Sequence, residues 1–152
     1  SGTDASAAVE TFKLVSGKKL FFKARLKVSD ATQSDFVVGL QITDTTPLDA
    51  TDGIYFLKAA SATAWSVVCR KDATTGSTSA SSIATAVADT FMSVGWHWDG
   101  KDAVKYYIDD VHTGTITSAA SYLPDTELTV SFGILGASMV GTFDYLYAAI
   151  ER

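Results

Sequence analysis

The sequence predicts an all-β protein built as a sandwich of two antiparallel sheets, and three observations carry that reading. Apolar and polar residues alternate with a period of two along most of the chain, turn-forming residues separate the alternating runs, and no long stretch keeps the 3.6-residue period of an amphipathic helix. The clearest run is Leu20 to Val28, where Leu20, Phe22, Ala24, Leu26 and Val28 share one face and Lys23, Arg25 and Lys27 take the other. A half-buried strand requires that arrangement, whereas a helix would scatter the charges around its circumference.

Similar runs follow at 36–42, 54–58, 65–71, 91–98, 104–109, 128–135 and 142–150, with weaker ones at 11–15, 81–87 and 111–117, about ten strands in all. Between them lie Ser16-Gly17, Ser29-Asp30, Asp52-Gly53, the stretch 71–76, Asp99-Gly100 and Leu123-Pro124-Asp125. Asp99-Gly100 predicts a tight hairpin, because Asp and Gly both tolerate the positive φ such a turn imposes. The stretch 142–150 is apolar on both faces, which predicts a strand central in its sheet or one covered by another subunit. Residues 9–152 read as a single β-sandwich domain and residues 1–8, small and polar, as a flexible segment.

Composition narrows the function. Twelve Lys and Arg against 17 Asp and Glu give a net charge of −5, the wrong sign for neutralising nucleic-acid phosphates. No run reaches the roughly 18 apolar residues of a membrane span, so the chain is expected to be soluble, with neither nucleic acid nor membrane as a partner. One Cys and two His exclude a Cys/His structural zinc cluster, and no cofactor is expected. Cys69, in step with Trp65 and Val67, reads as a small core residue.

Catalytic candidates are sparse. Glu10, Glu127 and Glu151 are far apart, and Asp109 and Asp110, taken as strand residues, point to opposite faces, so no carboxylate pair suits glycoside hydrolysis. A nucleophile could draw only on His97 or His112 as base, and no Gly-x-Ser-x-Gly elbow exists. Binding candidates are better placed. In the run 91–98, alternation sets Met92, Val94, Trp96 and Trp98 on one face and His97 on the other with Ser93 and Gly95. With Lys105 and Tyr107 from the following strand, His97 would border a groove for a polyhydroxylated ligand, and Trp65 is a fourth candidate; the competing reading makes these ordinary solvent-facing strand residues. Asp44, Asp49 and Asp52 offer loop oxygens of the kind calcium takes, although Asp at such positions equally serves turn chemistry.

The segments 91–100, 104–110 and 143–150, with the early strand 21–26, resemble the concanavalin A-like lectin and glucanase jelly roll, including its laminin-G-like members. The resemblance implies two face-to-face sheets, one concave and available to a ligand. The chain lacks the Glu-x-Asp-x-x-Glu strand of the family's glucanases, has no counterpart of the legume-lectin metal cluster and contains no Asn, so it is expected not to be an enzyme. Its small-residue, Thr-rich, acidic composition is also similar to jelly-roll proteins of tailed-phage virions. The leading expectation is therefore a virion structural or decoration protein that docks on capsid subunits and self-associates as a trimer. The alternative is a carbohydrate-binding module or lectin, extracellular and soluble, using the concave face.

Overall fold

The computed structural model describes residues 11–75, 80–117, 119–136 and 138–152, so the expected flexible segment 1–8 lies outside the described residues. Eleven strands run in order: β1 (Leu20–Val28), β2 (Asp35–Gln41), β3 (Gly53–Lys58), β4 (Ala64–Lys71), β5 (Thr74–Thr75), β6 (Ala80–Thr85), β7 (Met92–Trp98), β8 (Val104–Ile108), β9 (Val111–Ile116), β10 (Thr129–Leu135) and β11 (Gly141–Ile150). The helical content among the described residues is one short 3-10 turn at Ala119–Tyr122. One sheet has the order β11-β1-β7-β8-β9; the other runs β10-β2-β3-β4-β5, with β6 also pairing with β4. All the pairings are antiparallel. The expected weak strand at 11–15 reduces to a single bridge between Phe12 and Leu128.

Alternation decides what lies between the sheets. From the five-stranded sheet β1 contributes Leu20, Phe22, Ala24, Leu26 and Val28, and β7 contributes Val94, Trp96 and Trp98. They meet Phe36, Val38 and Leu40 of β2, Ile54 and Phe56 of β3, and Trp65, Val67 and Cys69 of β4. Each large side chain so buried stabilises the fold by roughly 1.5–3 kcal/mol. Phe36 meets the Trp65 ring edge-on at 5.6 Å, and Phe22 stacks on Trp96 at 6.0 Å.

The outer face of the six-stranded sheet is covered by its own loop. Val37, Tyr55 and Val68 form a second apolar cluster there, with Leu48 packed against it, and buried Gln41 donates from Nε2 to the Pro47 carbonyl at 2.8 Å. Lys58, fully buried, fixes the end of the same sheet: its Nζ donates to the carbonyls of Ser34 (2.7 Å), Ala59 (3.3 Å) and Ala62 (3.4 Å). Among the described residues no such cover lies over the outer face of the five-stranded sheet, and a groove opens there.

Three features differ from the sequence reading. Asp99-Gly100 does open a β7–β8 hairpin, but the connection runs from Asp99 to Ala103, because the Asp99 carboxylate accepts from the amides of Lys101, Asp102 and Ala103 and organises a wider loop. Gly100, at φ +86°, sits there against the backbone of Gly17, whose amide donates to its carbonyl. The tight turn is instead Asp109-Asp110 between β8 and β9, with φ of +49° and +66°, a two-residue type I′ geometry that Asp adopts more readily than most side chains. Finally, among the described residues β11 pairs with β1 alone and lies at the edge of its sheet, not at its centre. Its inner residues Leu146, Ala148 and Ile150 pack on the core, whereas Tyr145 and Tyr147 are exposed in the single chain, so the sheet itself does not cover its second apolar face.

Candidate functional site

The open face of the five-stranded sheet is assembled by register. Phe21 of β1 lies opposite His97 of β7, which lies opposite Lys105 of β8; Lys23 lies opposite Gly95, which lies opposite Tyr107. On the other side of β1, Lys23 pairs with Tyr147 and Arg25 with Tyr145 of β11. A bulge between Tyr106 and Tyr107 brings His112 of β9 opposite Tyr107. Because strand neighbours present every second side chain on one face, these residues share a single surface.

Their rings form a ladder across four strands. Phe21 stacks on His97 at 5.3 Å and His97 on Tyr107 at 6.1 Å, each pair within 24° of parallel, and Tyr107 leans on His112 at 5.4 Å. Tyr107 Oη lies 3.5 Å from His97 Nδ1. Beside the ladder, the absence of a side chain at Gly95 leaves a groove of about 530 Å³, walled by Phe21, Lys23, His97, Tyr107, Asp110 and Tyr147. The turn at Asp109-Asp110 closes one end: Asp109 accepts from the Ser93 amide at 2.9 Å, and Asp110 forms an ion pair with Lys23. Lys23 also interacts with Tyr145, and these two partners raise its pKa above the ordinary lysine value. Arg25 is tied to Asp144 at 2.6 Å and lies over the Phe91 ring.

The imidazole of His97 has its pKa lowered, first by burial and then by the positive charge of Lys105 and Lys19, against an opposing pull from Asp99. It is therefore the neutral ring, donor at one nitrogen and acceptor at the other, at pH 7. The site thus presents flat apolar rings for stacking together with a donor–acceptor set made of Lys23, Asp110, Tyr107 and His97. Asp110 is the one carboxylate among the residues that wall the groove, and it faces a lysine, so a pair of carboxylates straddling a glycosidic bond is not formed there.

Of the residues singled out from sequence, His97 and Tyr107 meet in the groove, and Lys105 stands on its rim, exposed and cross-strand from His97. Trp65 does not join them: it is 1% exposed on the opposite sheet, locked between the sheets against Phe36, because it shares the inward phase of Val67 and Cys69. Asp44, Asp49 and Asp52 do not converge either. Asp44 accepts from the amide and hydroxyl of Thr46, which lowers its pKa, while Asp52 is buried and takes the Thr51 hydroxyl and the Asp72 amide. Among the described residues no group of three or more His, Cys, Asp or Glu side chains is placed to hold a metal ion.

Sequence reasoning missed Phe21, Lys23, Asp110 and Tyr147. A signal existed for Phe21, which sits as a lone aromatic on the otherwise cationic face of β1.

The fold is that of the concanavalin A-like jelly-roll lectins, two antiparallel sheets packed face to face. The carbohydrate-binding module CBM66 from Bacillus subtilis superposes with a TM-score of 0.58 over 90% of this chain and 76% of its own, at 12% identity. The galectin LEC-6 of Caenorhabditis elegans gives 0.55 over 94% of this chain and 91% of its own, at 11% identity. An endo-β-1,4-glucuronan lyase from the fungus Trichoderma reesei gives 0.50 over 90% and 69%, also at 11%. Identities this low establish the fold alone, and the fold hosts both binding proteins and an enzyme. No protein-family model and no curated protein matches the chain.

Proposed function

We propose that this protein is a carbohydrate-binding domain that holds a glycan in the groove on the outer face of its five-stranded sheet and does not turn it over. The observation that carries the reading is the groove itself, where aromatic rings of four strands flank a glycine floor beside a Lys–Asp pair. A sugar ring offers an apolar face for stacking and hydroxyls that both donate and accept, and the groove supplies partners for each. The names of two structural neighbours, a carbohydrate-binding module and a galectin, support the same reading.

The test is isothermal titration against a panel of oligosaccharides, with each sugar recovered and analysed afterwards. Intact sugar bound by the wild type, and lost in Tyr107→Ala and Tyr147→Ala, supports the proposal; undiminished binding by both variants removes it from this groove.

A second reading, a structural protein that docks on virion subunits, draws on one specific feature. Val130, Phe132 and Ile134 of β10 point the same way as the core residues of β2, yet all are exposed at the edge of the sandwich, Phe132 by 58%. Light scattering separates the readings: a discrete oligomer indifferent to sugar favours docking, and a monomer retained by sugar favours the glycan.

A further inference from the structure

The groove is not electrically uniform. At the turn end, Lys23 and Arg25 are each paired with a carboxylate, Asp110 and Asp144, so their charge is already answered. At the other end the pattern reverses. Lys105 stands directly cross-strand from His97, and Lys19 precedes β1 in the same outward phase as Phe21, so the two lysines flank the Phe21–His97 stack. Neither lysine forms an ion pair among the described residues.

The acids nearby are engaged with backbone: Glu151 accepts from the Lys19 amide at 3.1 Å, and Asp99 holds the amides of its own loop. Both lysines push the pKa of His97 down while Asp99 pulls it up, in keeping with their places beside the ring. This cationic end belongs to a chain whose net charge is −5, so it is not a by-product of a basic surface.

We infer that the groove selects anionic glycans, its aromatic rings stacking on the sugar while a carboxylate or sulfate substituent sits between Lys105 and Lys19 beside His97. The inference rests on the glycan-binding reading above and names the ligand class within it. The phenolic and imidazole groups supply the hydroxyl contacts common to any sugar, whereas only an anionic substituent answers the charge of the two lysines. Exposed charge pairs contribute modestly, so two of them give about a fivefold to tenfold preference at low ionic strength, shrinking as salt screens them.

The experiment titrates the purified chain at low and high salt with three oligosaccharides of matched length: a galacturonate oligomer, a sulfated galactan oligomer and a neutral galactan oligomer. The Lys19→Ala/Lys105→Ala variant is run in parallel. The expected result is tighter binding of an anionic oligomer, an advantage that falls with salt, and loss of that advantage in the double variant. The galacturonate and sulfated arms tell a carboxylate site from a sulfate site, and preference for either upholds the inference. Equal binding of all three oligomers, or an anionic preference that survives in the double variant, overturns it while leaving the glycan-binding reading intact. No binding of any glycan in the panels, with the fold verified by circular dichroism, overturns both.

Discussion

The groove exists because position 95 is glycine, and replacing it tests the site without dismantling the sandwich. Gly95 is absent from the positive-φ residues, so a side chain is not barred by the backbone. A Cβ built there would lie 3.1 Å from the Phe22 carbonyl oxygen, 3.5 Å from Lys23 Cγ and 3.7 Å from Lys23 Cβ. The tightest of these contacts asks for a shift of a few tenths of an ångström and the others are ordinary packing. Against that crowding, Gly in a strand interior is about 0.5–1 kcal/mol less favourable than Ala, so the two effects nearly cancel in Gly95→Ala. Stability should stay within about 1 kcal/mol of the wild type, and the melting temperature within about 2–4 °C. In Gly95→Leu the longer side chain rises between Lys23 and Tyr107 and occupies the space a sugar ring needs. Affinity should drop by at least about 100-fold, close to 3 kcal/mol, while the sandwich stays folded. Thermal denaturation followed by circular dichroism reads the first quantity and isothermal titration the second. A folded Gly95→Leu protein that binds its sugar with wild-type affinity refutes the assignment of the groove; a loss above about 2 kcal/mol in Gly95→Ala refutes the geometry from which it was reasoned.

Four further outcomes follow from the same structure. Lys58→Met strands the Ser34 carbonyl and two others that Nζ now serves, and should cost about 1–3 kcal/mol in urea denaturation; an unchanged midpoint would show that the buried lysine does not hold this end of the sheet. The folded pKa of His97 is lowered, so its contribution to stability is complete above the unfolded value near 6.5 and is lost as pH falls through the folded value; its imidazole resonances should titrate below 6.5, and a midpoint above that contradicts the burial and Lys105 account. Cys69 is buried and its thiol is pushed up to about 12, so it should ignore a disulfide reagent in the native protein and react fully in denaturant; rapid native labelling would place it outside the core. Asp110→Gly relieves a left-handed residue and removes only an exposed ion pair, so thermal stability should hold or rise by up to about 1 kcal/mol, while Asp110→Val should fall; the reverse order would contradict the turn geometry.

What alternation could and could not reveal follows from the range of the forces involved. Whether a side chain points into or out of a sheet is a local property, fixed by its phase relative to apolar neighbours, and it placed Trp96 in the core and His97 on the open face. The same phase argument already set Trp65 beside Val67 and Cys69; offering it as a ligand platform went against the local signal, and the structure buries it. Which strand neighbours which is non-local. Nothing within 142–150 tells an edge strand from a central one, because Tyr145 and Tyr147 are apolar enough to be covered and polar enough at their hydroxyls to stand in water. The groove is a product of that hidden order. Gly95 and Tyr107 meet across the hairpin that Asp99-Gly100 announces, but Lys23 lies far from both in sequence and joins them because β1 pairs with β7, while Tyr147 arrives from the far edge. Even the turn at Asp109-Asp110 depends on this, since local pattern continues the β8 alternation into Asp109, and only the return pairing of β9 forces the chain to reverse there and points Asp110 at Lys23. A groove drawn from four strands is therefore legible from sequence as a set of outward phases, and takes shape only when the register brings those phases into line.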